Sequence, residues 1–267
     1  MIRPTDERIE AALADRTRPR RDRARDERDS AAEVLGFIDI GPGDQVLDFL
    51  PFRGYFTRLF ASLVGDSGRV FAAIPAELTK IERIEAGRQE VEQFARDRCN
   101  VTVLAGSAAE AGAPTEPIDV FFIGQNYHDL HTPMMGPVDV RSFNDAAFRA
   151  LKPGGHYVIV DHCARPGTLT EDANALHRID PALVRREVEA AGFEYAGEND
   201  VLRSPDDPGT SSIFARGVRY HTDRFIVKFR KPVELGRRTH RRVIGNDRSN
   251  REVVAAETSS RSASGSV

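Results

Sequence analysis

Two short polar runs carry the side chains best suited to chemistry: Gly124-Gln125-Asn126-Tyr127-His128-Asp129-Leu130-His131 and Asp161-His162-Cys163. A histidine titrates near neutrality, so His128 could take a proton from a substrate while Asp129 or Asp161 orients its ring. A third stretch, Leu176-His177-Arg178-Ile179-Asp180, contributes His177. The catalytic candidates are therefore His128, Asp129, Asp161, His162 and His177. Each has a plainer reading. Asn126 could cap a short helix with Asp129 three residues on, a loose capping box. Asp180 is a good N-cap ahead of Pro181, and His177 could simply pack beside it. Imidazoles and carboxylates from neighbouring strand ends could also hold a divalent ion. The His-x-x-His spacing is lax, however, and favours a hydrogen-bonded acid–base cluster; no metal is expected. Cys163 is a candidate nucleophile with nothing in the sequence to activate its thiol.

These groups act together only if a scaffold brings them to one edge. Val46-Leu47-Asp48-Phe49 reads as a buried strand, residues 50–54 as a tight turn, and residues 55–64 as an amphipathic helix with Phe56, Leu59, Phe60 and Leu63 on one face. Further strands are expected at 69–74, 101–104, 118–123 and 156–160. The last follows a helix near 143–150 and a Lys152-Pro153-Gly154-Gly155 turn. Residues 76–98 read as a helix that Gly87 weakens and could split. Asp180-Pro181 opens a helix reaching Ala191, and 224–229 is a final strand with Phe225, Val227 and Phe229 on one face. Alternating strands and helices imply a doubly wound parallel sheet, in which ligands bind beyond the carboxyl ends of the strands near the switch in strand order. Both polar runs follow apolar strands and should emerge there.

In this order and spacing, from about Val34 to Lys231, the elements resemble the class I S-adenosylmethionine (SAM)-dependent methyltransferases. The resemblance implies an α/β fold: a doubly wound, mostly parallel seven-stranded sheet (a Rossmann-like methyltransferase fold) with an N-terminal helical extension. Aligned on Asp48 and Gly54, the family's three loop glycines fall at Leu50, Phe52 and Gly54, so only the last is kept. The acid that the family places after the second strand is also displaced, with Glu77 the nearest. The cofactor-binding residues the resemblance implies are Asp48, Phe52, Gly54, Tyr55, Glu77, Ser107 and Asn126. The polar runs resemble a subgroup of predicted small-molecule methyltransferases with Asn-Tyr-His-Asp, Asp-His and Leu-His-Arg-Ile-Asp at these places. The similar catechol-type O-methyltransferases hold Mg²⁺ by acids after comparable strands. Two functions follow as expectations. One is SAM-dependent methyl transfer to a small molecule with His-assisted deprotonation. The other keeps the fold, has lost methyl transfer, and uses the His/Asp cluster for a different reaction or for ligand binding.

The 267 residues fit one decorated α/β domain. The expected divisions are a helical extension at 1–33, the α/β domain at 34–231, and a basic, Ser-rich tail at 232–267 too polar to order itself. Arg21 to Arg28 of the extension should face solvent, as charge runs usually do, with a lid over the cofactor end as the sharper alternative. A net charge of −3 gives no pull toward nucleic acid. No apolar run approaches the roughly 20 residues that span a bilayer. Cys99 and Cys163 lie far apart, and no signal peptide is read ahead of them, so free thiols and a cytoplasmic location are expected. The expected partner is a small-molecule substrate, without nucleic acid or membrane; a homodimer stays open, and the basic tail would be the surface for any partner protein.

Overall fold

The computed structural model describes residues 7–136 and 138–233 of the chain. The tail expected to be disordered lies, from residue 234, outside the described residues. Strands β1 (Gln45–Phe49), β2 (Arg69–Ala73), β3 (Val101–Leu104), β4 (Ile118–Gly124) and β5 (Leu151–His162) pair in parallel. Strands β6 (Glu194–Asn199) and β7 (Arg224–Arg230) complete a seven-stranded sheet in the order β3-β2-β1-β4-β5-β7-β6, with β7 antiparallel to both neighbours. The order reverses between β1 and β4, which is where such a sheet opens a crevice for a ligand.

Eight helices flank the sheet among the described residues: α1 (Glu7–Ala14), α2 (Arg20–Arg23), α3 (Ala31–Ile38), α4 (Tyr55–Val64), α5 (Glu82–Arg96), α6 (Val140–Ala150), α7 (Glu171–Leu176) and α8 (Pro181–Ala190). The central strands are buried on both faces, which is why they read as nearly continuous apolar runs. Leu47, Phe49, Phe121 and Tyr157 face one core with Phe143 of α6. Val46, Phe122 and Val158 face the other with Leu59 and Phe60 of α4 and with Ile9, Leu35 and Ile38 of the N-terminal helices. Phe122 meets Phe56 at 4.7 Å and Phe60 at 5.2 Å between ring centroids, so α4 is clamped over the β1–β4 boundary. Each such buried ring stabilises by roughly 1.5–3 kcal/mol.

The structure differs from the sequence expectations at four places. Gly87 does not split its helix. Its missing Cβ leaves room for the Phe52 carbonyl, which a side chain would meet at 2.5 Å. Lys152-Pro153-Gly154-Gly155 is not a turn ahead of β5 but part of it, entered through a register shift opposite Ile118 and Val120. Residues 20–38, whose charged then apolar pattern reads as one helix opened by Pro19, form two, α2 and α3, with Ser30 at a left-handed φ of 46° ahead of the second. Finally, β6 was not foreseen; Glu194-Tyr195-Ala196-Gly197-Glu198-Asn199 is an edge strand whose polar composition hides its pairing.

Candidate active site at the carboxyl edge

The turn after β1 is built on three left-handed residues: Leu50 at φ 52°, Phe52 at 48° and Gly54 at 76°. These are the positions where the resemblance puts glycines, so the backbone is of the kind glycine adopts freely although two side chains are large. That conformation costs a non-glycine residue about 1–2 kcal/mol, so the surroundings must impose it. They do so by bonding and by packing. Leu50 N donates to Ala73 O at 2.8 Å, and Asn126 Nδ2 donates to Leu50 O at 3.2 Å. The Leu50 side chain is 1% exposed in the core, and Gly87 makes way for Phe52 O.

A cavity of about 630 Å³ opens over this turn. Asp48 of β1, Leu50 and Phe52 of the turn and Tyr55 of α4 line it. Asn126, His128 and Asp129 line it after β4, His162 at the end of β5, and His177 after α7. Phe214 and Tyr220, ahead of β7, and Arg25 and Arg28, between α2 and α3, close the other side. The Arg21–Arg28 run is solvated in part: Arg21, Arg23, Glu27 and Arg28 are exposed as expected, while Asp22, Arg25 and Asp26 turn inward. Asp22 is buried against Arg58 at 3.0 Å. Arg25 stacks on the Tyr55 ring, 3.9 Å from its centroid, and Tyr55 Oη donates to Asp26 at 2.7 Å. Six arginines and three aspartates line the cavity; Arg21 and Arg53 pair with Glu90, and Arg25 and Arg28 with Asp29, so Arg83 and Arg219 are the ones placed to meet an anion.

The His/Asp candidates converge. His128 begins a short 3₁₀ turn (His128–His131) with no side-chain cap, so the helix-entry reading of Asn126 and Asp129 does not describe it. His128 Nδ1 bonds Asp161 Oδ1 at 2.8 Å, and its Nε2 lies 3.2 Å from His177 Nδ1 and 3.3 Å from Asp129 Oδ1. Asp161 itself is fully buried beneath the cavity and does not line it. Burial alone would lower the His128 pKa, but the charge and hydrogen bond of Asp161, with the neighbouring Asp129 carboxylate, override it and raise the ring to about 10. For Asp161, burial pushes upward and His128 pulls harder the other way, so its carboxyl sits below the ordinary range. Burial drives His162 down to about 3 despite Asp161, and its Nδ1 meets Thr222 Oγ1 at 2.8 Å. Burial and then the charge of His128 hold His177 below its ordinary value.

The cofactor candidates divide. Asp48, Phe52, Tyr55 and Asn126 line the cavity. Asp48 is buried beside Thr57, whose hydroxyl donates to it at 2.7 Å; burial raises its pKa to about 7 against that bond. Gly54 shapes the turn and caps α4 without lining the cavity. Glu77 and Ser107 are elsewhere: Glu77 Oε1 accepts from Ala108 N at 3.0 Å, and Ser107 Oγ accepts from Glu110 N at 3.2 Å.

Sequence reasoning missed Arg178, although the motif containing it was quoted. It is fully buried, ion-paired to Asp207 at 2.8 Å, and donates to Cys163 O and Ser211 O, each at 2.9 Å. It thereby fixes the loop that brings Phe214 and Tyr220 to the cavity. Asp180 caps α8 as expected, accepting from Ala182 N at 2.9 Å. Burial, then Asp223, pushes the Cys163 thiol well up, which unsuits it as a nucleophile. Both cysteines are free, Cys99 exposed and Cys163 buried.

No protein-family model matches the chain. Over 132 residues it is 30% identical to the ubiquinone/menaquinone biosynthesis C-methyltransferase UbiE of Ectopseudomonas mendocina (strain ymp), which covers 48% of this chain and 45% of that protein. The chain thus matches about half the length of this curated relative. Among solved structures, a SAM-dependent methyltransferase from Aquifex aeolicus superposes with a TM-score of 0.52 at 20% identity, covering 84% of this chain and 97% of that one. The [4+2]-cyclase SpnF gives 0.51 at 16% identity over 77% of this chain and 82% of its own. At these identities the likeness concerns the fold. No helix among the described residues is long and apolar enough to cross a membrane. The chain thus has the fold seen in SAM-dependent methyltransferases.

Proposed function

We propose that the chain is a SAM-dependent methyltransferase acting on a small anionic acceptor. The observation that carries this reading is the turn at Leu50, Phe52 and Gly54, left-handed at all three positions where glycines are expected. The residues around it suit the amino-acid end of SAM. Asn126 Oδ1 is a buried acceptor with no hydrogen-bond partner among the described residues, and Asp48 lies across the same cavity. Together they would hold an ammonium group. When bound, SAM supplies an electrophilic methyl group.

The chain's own residues then orient the acceptor and manage its proton. Arg83 and Arg219 attract an anionic molecule, and Phe214 and Tyr220 offer an apolar wall. His128, expected from sequence to be the base, is held protonated by Asp161. His177, less basic and a quarter exposed toward the cavity, is the better proton acceptor. His128 in turn supplies fixed positive charge beside the developing anion.

A second reading has one observation in its favour. Glu77 and Ser107, at the ends of β2 and β3, do not line the cavity, so the nucleoside half of a cofactor lacks its expected partners. Under it the His/Asp cluster serves another reaction or ligand. Calorimetry with SAM and with S-adenosylhomocysteine separates the two. One-to-one binding of both, weakened roughly ten- to a hundredfold in Asn126→Leu, is expected. No heat and no thermal shift with folded protein would overturn methyl transfer.

A further inference from the structure

The geometry points to a divalent transition-metal site formed by His128 Nε2, Asp129 Oδ1 and His177 Nδ1. These three atoms lie 3.2, 3.3 and 3.8 Å apart. A tetrahedral ion with bonds of about 2.0–2.1 Å spaces its ligands by about 3.4 Å, so the three atoms already stand at coordination distances from one common point. A hydrogen-bonded cluster explains less. Asp129 Oδ1 is buried and has no hydrogen-bond partner among the described residues, although two imidazole nitrogens flank it. A buried carboxylate oxygen left in that state costs free energy that a cation would recover.

The surroundings support ligation. Asp161 accepts the Nδ1–H of His128, so a metal that displaces the Nε2 proton meets a nitrogen already aimed at the other two atoms; a carboxylate behind a ligand histidine is how metal sites fix tautomer and orientation. His177 is a non-glycine residue at φ 56°, at the C-cap of α7, and its ring packs edge-on against Phe214 at 5.0 Å. The chain thus accepts a strained backbone where the ring must aim inward. Two imidazoles and one carboxylate suit Zn²⁺ or a neighbouring first-row ion better than Mg²⁺. Three protein ligands leave a position open, and all three residues line the cavity, so that position faces any acceptor. With an ion bound, His128 and His177 would serve as its ligands in place of carrying a proton, and the ion would supply the positive charge beside the acceptor. This role rests on the methyl-transfer reading; metal binding itself does not.

The test needs no methyl donor. Tag-free protein carrying Cys99→Ser, which removes the exposed thiol, is stripped with chelator and titrated with Co²⁺ and Zn²⁺. One ion per chain is expected, with the visible absorption of four-coordinate cobalt(II) and a raised melting temperature. His177→Ala and Asp129→Asn should each weaken binding more than tenfold, while His221→Ala, at an exposed residue outside the cavity, should not. Should either ligand variant fail to fold, the cobalt spectrum and melting shift of the parent protein still decide. Absence of stoichiometric binding by the folded parent, or equal affinity in folded His177→Ala, would overturn the site. The SAM titration is run separately on stripped protein, so either conclusion can fail alone.

Discussion

Asp161 grips His128 at two points: Oδ1 meets the ring Nδ1 at 2.8 Å, and Oδ2 accepts the His128 backbone N–H at 2.8 Å. One fully buried carboxylate, at the end of β5, thus sets both the backbone and the ring of a residue after β4. The carboxyl edge of the sheet is tied across two strands by this pair, and His162 N adds a third bond to the same carboxylate at 2.7 Å.

Replacing Asp161 by Asn keeps the shape and removes the charge. The account expects stability to fall by about 3–5 kcal/mol, because a buried partner is left unpaired. Turnover should drop roughly ten- to a hundredfold with little change in KM, since Asp161 acts through His128 and does not line the cavity. Urea denaturation and steady-state kinetics read the two effects.

Asp48 makes stability depend on pH. Burial raises its pKa from 3.8 to about 7, so between these values the unfolded chain gives up a proton that the folded chain keeps. The stability carried by the neutral carboxyl is fully present below 3.8 and is lost as pH rises to about 7, by at most about 4 kcal/mol. Asp48→Asn should flatten this slope in denaturation curves taken from pH 4 to 8. In the parent protein, affinity for S-adenosylhomocysteine should rise through pH 7 as Asp48 ionises beside the ammonium.

Gly87→Ala separates helix propensity from packing. In the interior of a free helix this change would stabilise by about 1 kcal/mol. Here the new Cβ would lie 2.5 Å from the Phe52 carbonyl oxygen, a backbone atom that moves only with its turn. The expected result is a lower melting temperature and weaker S-adenosylhomocysteine binding, although Gly87 does not line the cavity.

Arg178→Met should cost about 3–5 kcal/mol, because Asp207 and two carbonyls lose their buried donor. Loosening of the 207–220 loop should also raise hydrogen exchange there before it rises in the strands.

Much of the scaffold was legible because its signals are local. Residues 55–64 show a helical apolar stripe, and the central strands are apolar runs bounded by turns. The sequence could not show which charges have partners. Arg25 and Arg28 look like solvated residues until Tyr55 and Tyr220 are seen beneath their guanidinium groups. Glu77 stands at the end of a strand but is tied to Ala108 N, a contact made by β3's loop and invisible in spacing. Leu50 and Phe52 mislead in the opposite sense. They read as lost glycines, whereas packing and hydrogen bonds to β2 and Asn126 hold the turn in a glycine-like shape. The His/Asp candidates were legible one by one, but their convergence and internal order, with Asp161 beneath and His177 at the cavity wall, belong to tertiary structure.

The most direct test of the central claim is a crystal structure of the chain grown with S-adenosylhomocysteine. The account predicts the amino-acid end of the ligand over the Leu50–Gly54 turn, its ammonium within hydrogen-bond reach of Asp48 and Asn126 Oδ1. Density for the ligand elsewhere, or none in the cavity at saturating concentration, would contradict it.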